Sequence, residues 1–221
     1  QKLFQGNRVG LSWVHFERTR NWLIGGSSDA DSNIIIGARA GVQVLSSSGM
    51  VIRRNYCHQT YHGGWSQGMN FELLNSPGIL IEHNVIRSSA WPLRGSSGEV
   101  RYNLILDSAH SWLQAPQSGT KIHHNIFGQV SDPVSYAPEQ GVFIFGSTGV
   151  ELYNNTFDGG GDAIGWYGNV LSVAPGATVG SLRSNLFVRF SSQLNSPIVG
   201  GNFLERLGTP GPARLGSADY N

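Results

Sequence analysis

A six-residue motif recurs along this chain at intervals of about 20 to 30 residues. An aliphatic residue is followed by two residues of any type, then by Asn, and then by a mostly apolar pair that usually ends in Ile or Phe. The intervals between successive Asn residues are 29, 19, 22, 30 and 30 residues. A repeat of roughly 20–50 residues is typical of stacked units that bury their apolar faces only against one another. The Asn residues of the motif are Asn55, Asn84, Asn103, Asn125, Asn155 and Asn185.

The composition favours short strands over helices. Gly accounts for 30 of the 221 residues, and charged residues make up only 13%, about half of the roughly 25% that is usual in globular domains. Apolar segments are short and bounded by turn residues, and no segment shows a sustained period of 3.6 residues. Hairpin patterns are few, whereas a sandwich would show turns about every 8–12 residues. The sequence therefore predicts one all-β solenoid domain over residues 1–221.

Copies of the motif such as Ile81–Ile86, Ile122–Phe127 and Leu152–Phe157 resemble the coils of right-handed parallel β-helix proteins, the pectin-lyase-like superfamily. The resemblance covers residues 11–204. It implies about 7–9 coils, with each Asn at a bend whose unusual backbone angles Asn tolerates, and with Asn side chains stacked in a ladder about 4.8 Å apart. The apolar residues beside each Asn would fill a dry interior. The one cysteine, Cys57, occupies such a position and is expected to be a buried thiol.

The unequal intervals place extra residues between particular strands. The interval after Asn55 contains an insertion at 59–67, and the interval after Asn125 contains one at 129–140. Two shorter coils lie between them. Because insertions into solenoid repeats usually gather on one face, we expect the longer loops to form the walls of a groove over the lean coils.

The strand after each bend predicts a row of polar side chains on this face. Alternation along the strands places Glu72, Arg94 and Gln114 outward, one above another. Asn70 and Trp112 are expected on the same outward face. An acid, a cation and an amide in one row would lie within reach of one extended ligand. The residues expected to point inward are Phe71, Leu93, Leu113 and Ile144.

A second row is expected where the strand after each Asn ends. The residues three positions after the first five Asn residues are His58, Arg87, Leu106, Gly128 and Asp158, and Asp107 follows directly. Sugar rings stack on indoles, and their hydroxyls bind acidic, amide, Arg and His side chains. The two rows therefore predict a polysaccharide groove. Its expected substrate-binding residues are Trp65, Trp91, Trp112, Gln114, His62, Arg87 and Asn70.

The resemblance also implies an activity on polysaccharides, because β-helix proteins of this superfamily commonly cleave them. β-Elimination needs a cation for the carboxylate of a uronic acid, a base for its C5 proton and a proton donor for the leaving oxygen. We expect Arg94 to bind the carboxylate and His110 or His58 to serve as base or acid. Glu72 or Asp107 would orient these groups. Hydrolysis would instead need two carboxylates about 5–9.5 Å apart, for which the same two acids are the central candidates.

The mixture of cations and His ranks a lyase above a glycoside hydrolase. A non-catalytic β-helix that binds glycans or serves as a cell-surface structural module is also open, because it explains the fold and the aromatic residues. An ice-binding face is disfavoured, since too few Thr residues lie in register. The residues just before the motif Asn are expected to be plain strand or bend residues, or a solvated ladder of Arg: His83, His123, His124, Arg53 and Arg101.

Charge and motifs exclude several partners. The chain has 15 basic and 14 acidic residues and a net charge of +1, so it offers no field of one sign to attract nucleic acid or an anionic membrane. It has no apolar run long enough for membrane insertion. No common metal motif is present, so we expect no cofactor; Ca²⁺ is the weak candidate, with Asp29 and Asp31 as the one tight acidic pair.

The chain begins at Gln1, and its last residues, 218–221, resemble the start of another strand. We therefore expect a fragment of a longer bacterial protein that is secreted or displayed at the cell surface. Open solenoid ends expose unpaired strand edges. Flanking domains or a second copy of the chain are the expected partners at these ends.

Overall fold

In the computed structural model, the described residues are 1–10, 13–37, 41–58, 69–89, 91–108, 111–128, 140–158, 169–174, 176–188, 214–215 and 218–219. They form three parallel sheets, and each turn of the chain adds one strand to each sheet. Neighbouring strands in a sheet therefore come from consecutive coils. The predicted all-β solenoid of parallel strands is confirmed.

The strands of sheet 1 precede the Asn bends. They are β1 (Lys2–Phe4), β4 (Trp22–Gly25), β7 (Val51–Arg53), β10 (Ile79–Glu82), β13 (Gly98–Arg101), β16 (Lys121–His123), β19 (Val150–Tyr153), β22 (Thr178–Arg183), β24 (Arg214–Leu215) and β25 (Ala218–Asp219). The last two strands both pair with β22.

The strands of sheet 2 follow the bends. They are β2 (Arg8–Gly10), β5 (Ile34–Ile36), β8 (Tyr56–His58), β11 (Val85–Arg87), β14 (Leu104–Leu106), β17 (Ile126–Gly128), β20 (Thr156–Asp158) and β23 (Leu186–Val188). A short 3₁₀ helix, Asp29–Asp31, precedes β5.

The third strand of each coil lies in sheet 3. Its strands are β3 (Trp13–Glu17), β6 (Gly41–Leu45), β9 (Met69–Leu74), β12 (Trp91–Arg94), β15 (Ser111–Gln114), β18 (Gln140–Ile144) and β21 (Asn169–Val173).

Apolar side chains align coil on coil in the interior. In sheet 1 the fully buried, aligned residues are Ile24, Ile52, Ile81, Val100, Ile122 and Leu152. Each fully buried aliphatic side chain stabilises the fold by about 1.5–3 kcal/mol. In sheet 2 the inward position holds Cys57, which is fully buried as expected. Burial raises the pKa of its thiol well above the usual value, so the thiol is unreactive.

The Asn side chains form the predicted ladder. Asn55 donates from Nδ2 to Oδ1 of Asn84 at 2.9 Å, and its backbone N–H donates to the same oxygen at 3.0 Å. The pattern repeats up to Asn185. It also extends backward to Asn33 and Asn7. The motif missed both, because Asn33 has no large aliphatic residue three positions earlier and Asn7 is followed by Arg8. Each buried hydrogen bond contributes about 1 kcal/mol net, and an orphaned partner costs about 1–3 kcal/mol.

The unusual backbone angles lie one residue before each of the six motif Asn residues, so the prediction that Asn itself adopts them is wrong. Arg54, His83 and Tyr102 have φ values of 51°, 55° and 54°. Left-handed backbone strains a residue with a side chain. The Asn amide offsets this strain, because Nδ2 of Asn84 also donates to the carbonyl of Glu82 at 3.1 Å and closes the bend around the left-handed residue.

The two insertions predicted from the sequence, after β8 and after β17, each connect a strand of sheet 2 to a strand of sheet 3. Every connection from sheet 2 to sheet 3 leaves the same edge of sheet 2. The connections 59–68 and 129–139 are long and lie outside the described residues, whereas 88–90 and 107–110 between them are short. A third long connection, 159–168, follows β20. The walls of the groove stay a prediction.

Candidate functional site

Sheet 3 carries the predicted row of outward polar side chains. Glu72 is in register with Arg94, and Arg94 is in register with Gln114. Phe71, Leu93 and Leu113 point inward and are fully buried, as predicted. Pairing places Gln43 before Glu72 in the row, and Phe143 and then Ser172 after Gln114. The row therefore runs along the axis of the solenoid through the lean coils.

Ile144 is buried as predicted, but the alignment of the strand sequences also placed it in register with Leu113, and this register is wrong. Leu113 pairs with Val142 and not with Ile144, although Ile144 is also buried. The aromatic residue Phe143 therefore points outward beside Gln114. The run from Val142 to Phe145 is entirely apolar, so polarity gives no clue to which of its residues faces outward.

Glu72 fixes the position of Arg94. Its Oε1 accepts a hydrogen bond from Nη1 of Arg94 at 3.1 Å, and its Oε2 accepts one from Nε2 of Gln43 at 2.6 Å. The Glu72 side chain is only 8% exposed, whereas that of Arg94 is 43% exposed. The buried carboxylate therefore holds a guanidinium group that still faces solvent. This arrangement suits the binding of an external anion, because Arg presents several N–H donors in a planar fork.

A second anchored Arg lies at the end of sheet 2. His58, Arg87 and Leu106 pair across consecutive strands, so the second predicted row exists. Nη2 of Arg87 lies 3.5 Å from Oδ2 of Asp107. The Asp107 side chain is 2% exposed and that of Arg87 is 37% exposed. The ring of His58 stacks on that of Tyr56 at 6.1 Å. The short corner 88–90 thus has an anchored Arg on each side, at 87 and 94.

Two predicted substrate-binding residues are fully buried, and Trp112 is part of the hydrophobic core. Trp112 is fully buried, and its ring centroid lies 5.9 Å from that of Phe127 and 6.1 Å from that of Phe157. Gly141 in the next coil makes room for the indole, since a Cβ there would lie 3.0 Å from Cζ3 of Trp112. Asn70 is fully buried as well. Both residues are second in their strands, at the corner where the alternation of a straight strand does not hold.

The other sequence candidates divide into two groups. Trp91 is partly exposed at the start of β12, and Gln114 is partly exposed beside Arg94. Their contacts with substrate stay predictions. His62, Trp65 and His110 lie outside the described residues.

Sequence reasoning missed a charged network on sheet 1. Glu82 is 3% exposed. Its Oε1 accepts from Nε of Arg53 at 2.5 Å and its Oε2 from Nε of Arg101 at 2.8 Å. Burial opposes ionisation of Glu82, but the hydrogen bonds from Arg101 and Arg53 outweigh burial and lower its pKa. Nη1 of Arg101 also donates to Oε1 of Glu99 at 3.0 Å.

Two adjacent His residues join this network. Nε2 of His123 lies 2.7 Å from Oε1 of Glu99, and its Nδ1 lies 2.8 Å from Nδ1 of His124. Since Glu99 only accepts, His123 carries its hydrogen on Nε2, and His124 then donates from Nδ1. Burial lowers the pKa of His123 and outweighs the opposing effect of Glu99. These contacts agree with the expectation that the residues before Asn are structural.

Nothing in the described ranges has the arrangement of a metal centre. No group of three or more His, Cys, Asp or Glu side chains there is placed to hold an ion. Asp31, part of the acidic pair considered for Ca²⁺, accepts hydrogen bonds at Oδ2 from Ser28 at 2.8 Å and Ser27 at 3.4 Å. A helix long and apolar enough to cross a membrane does not occur in the described residues.

Comparison with known proteins agrees with the architecture. A family model described as "Right handed beta helix region" matches residues 22–174, which is more than half of the chain. No curated protein and no solved structure matches it. The activity must therefore be argued from the side chains of this chain.

Proposed function

The chain belongs to the right-handed β-helix family, and from the outward row on sheet 3 we propose that it binds an acidic polysaccharide and cleaves it by β-elimination. The observation that carries the proposal is the half-exposed guanidinium of Arg94, held by the nearly buried carboxylate of Glu72. A fixed cation on an open, polar sheet suits the carboxylate of a uronic acid. The neighbouring amide of Gln114 suits a sugar hydroxyl.

The proposed chemistry assigns one task to each group. Arg94 neutralises the sugar carboxylate and so makes the C5 proton more acidic. A base removes that proton, the C5–H electrons form a C4=C5 double bond, and the bond from C4 to the leaving oxygen breaks. The leaving oxygen takes up a proton from a general acid. His58 is the base candidate within the described residues, and His110 is the second candidate from the sequence.

Lyase chemistry is favoured over hydrolysis by the state of the two acids. Glu72 is bound by Arg94 and Gln43, and Asp107 is paired with Arg87. A glycoside hydrolase needs one carboxyl group that donates a proton and another that acts as base or nucleophile. Carboxylates held in ion pairs with Arg are poorly suited to give up or take protons. Both acids instead serve to position the two guanidinium groups.

Non-catalytic glycan binding is the second candidate. The anchored Arg residues alone provide anion binding, and within the described residues Arg94 contacts Glu72 and Met69 but not the candidate base His58. Uronate polymers are found outside cells, so either function corresponds to a secreted or cell-surface protein of a bacterium. Neither function calls for a metal cofactor.

The test is a panel of uronate and neutral polysaccharides incubated with the protein and with two matched variants. We expect ultraviolet absorbance from unsaturated uronate ends with the wild type, and at least about a hundredfold loss in Arg94→Gln, since an ion pair to the substrate is worth roughly 3 kcal/mol. Arg101→Gln is the control, because this Arg also binds a buried Glu but lies on sheet 1. New reducing ends without that absorbance would indicate a hydrolase, and binding without any product a non-catalytic module.

A further inference from the structure

Two aromatic side chains lie at the end of the polar row: Phe143 on β18 of sheet 3 is partly exposed, and Phe145 just after the strand is largely exposed. Phe143 follows Gln114 in register, and the neighbouring Phe145 has 62% of its surface exposed. Their ring centroids are 6.1 Å apart and the planes are inclined by 37°. The buried Ile144 between them points to the opposite face. A partly exposed ring beside a largely exposed one forms an apolar patch, and such a patch marks a binding surface more often than a single exposed residue does.

The rings lie at a fixed distance from the anchored cation. Arg94 pairs with Gln114, and Gln114 pairs with Phe143, so the rings begin two coils beyond Arg94. With a coil spacing of about 4.8 Å, this separation is about 10 Å along the solenoid. A pyranose unit in an extended polysaccharide advances by about one coil spacing. A chain that runs along the row would therefore place one sugar at Arg94 and a second sugar, two units further on, at the rings.

The chemistry of this end of the row differs from that at Arg94. A Phe ring has no hydrogen-bonding group, so it selects the apolar C–H face of a sugar and not its charge. Ser172, the next residue in the row, is buried. Within the described strands, the partners of Phe143 are thus the uncharged Gln114 and Ser172.

We propose that Phe143 and Phe145 form an apolar subsite that stacks on the sugar two units away from the uronate held by Arg94. The inference rests on the proposed function and deepens it. The ligand is an acidic oligosaccharide of at least three sugars that lies parallel to the solenoid axis. Arg94 at one end of the site binds a carboxylate, and the two Phe rings at the other end contact the apolar face of a sugar ring. The apolar subsite therefore accepts charged and neutral sugars alike.

Titration calorimetry with uronate oligomers of two to five sugars tests the subsite. For the wild type we expect affinity to rise steeply once the oligomer is long enough to reach from Arg94 to the rings. Phe145→Ala is expected to lower affinity for the longest oligomer about tenfold and to leave the dimer unchanged. The double variant Phe143→Ala/Phe145→Ala should remove the length dependence. Ile126→Ala is the control, since Ile126 is also exposed, at 47%, but lies on sheet 2.

The outcomes separate the subsite from the proposed function. If the wild type binds no uronate oligomer, the proposed function fails and the subsite fails with it. If the wild type binds with a clear length dependence and Phe145→Ala matches it at every length, the subsite is overturned and the proposed function stands. Circular dichroism of each variant shows that the fold is retained, which is expected because Phe145 contributes little to the core.

Discussion

Sheets 1 and 3 each carry a row of charged side chains along the solenoid, and the two rows differ in how completely their charges are paired. On sheet 1, Glu82 binds two Arg side chains, and one of them, Arg101, also binds Glu99. On sheet 3, Glu72 binds one Arg, and Arg94 is 43% exposed compared with 31% for Arg101. Aligned charges alone therefore do not mark a binding site. The proposed binding site rests instead on a guanidinium that is held by one carboxylate and still open to solvent.

The largest loss of stability is expected for Trp112, which lies beside the sheet 3 row in sequence but packs in the core. Trp112→Ala should lower the free energy of unfolding by about 3–5 kcal/mol, because it leaves a large cavity beside Phe127 and Phe157. Trp112→Phe should cost less than about 1.5 kcal/mol, since the buried indole Nε1 has no hydrogen-bond partner within the described residues. Urea unfolding measures both. Unchanged stability in Trp112→Ala with lost glycan binding would place this residue in the site.

A pair of matched variants compares the two rows directly. Glu82→Gln should lower the free energy of unfolding by about 2–3 kcal/mol, because two guanidinium groups lose their shared carboxylate. Glu72→Gln should cost only about 1 kcal/mol, because Arg94 can turn to solvent. Glycan binding should show the opposite order, with loss in Glu72→Gln and none in Glu82→Gln. Equal effects on binding would mean that the rows do not differ in function.

The fold was predictable from the sequence because the Asn motif indicates the position of each bend. It also indicates the buried apolar residue in the strand before the bend and the one in the strand after it. The ladder begins earlier than predicted, since Asn33 keeps only the second half of the motif after the 3₁₀ helix Asp29–Asp31. The row Glu72–Arg94–Gln114 was also predictable, because each residue follows a clearly apolar inward neighbour.

The remaining errors have physical causes. Alternation failed for Trp112 because it lies at a corner. The register of Ile144 was wrong because the run Val142–Phe145 is entirely apolar and follows the long connection 129–139, so neither polarity nor spacing identifies its partner in the previous coil. The sheet 1 network was missed because Arg53 and Arg101 were expected to form a solvated ladder and no role was considered for Glu82 between them. All three residues lie two positions before a motif Asn, so the spacing alone would have placed them in register.

A smaller effect is expected from Gln43, a positioning residue that holds Oε2 of Glu72. Gln43→Ala should raise KM a few-fold and leave kcat nearly unchanged, because Glu72 keeps its bond to Arg94 while the guanidinium is held less firmly. The loss in stability should be about 1 kcal/mol or less. Gln117→Ala is the control, since Gln117 donates to the backbone carbonyl of Gly95 outside the row. A fall in kcat with unchanged KM would contradict a positioning role.

The smallest effect is a pH dependence of the free energy of unfolding that arises from His123 on sheet 1. The pKa of His123 is lowered in the folded protein, first by burial, whereas an unfolded His titrates near 6.5. The unfolded chain therefore binds a proton that the folded protein resists. Stability from this group is complete above about pH 6.5 and is lost as the pH falls toward the lowered folded pKa. The geometry agrees, because a proton on Nδ1 of His123 would face the N–H of His124 at 2.8 Å.

The groups that face His123 decide how this effect is measured. They are Glu99, His124, Arg101 and Tyr153, whose ring stacks on His123 at 4.6 Å. Urea unfolding at pH 7.5 and pH 5.5 should show a larger loss of stability on acidification for the wild type than for His123→Gln. Glu82 does not contribute between pH 5.5 and pH 7.5. Its lowered pKa keeps it ionised in the folded protein, and in the unfolded chain an ordinary Glu side chain is also ionised at these pH values. Parallel losses in the two proteins would show that His123 is not the titrating group. Uronate binding should be unaffected by His123→Gln. The charged groups on sheet 1 bind one another, whereas the proposed binding group, Arg94, lies on sheet 3.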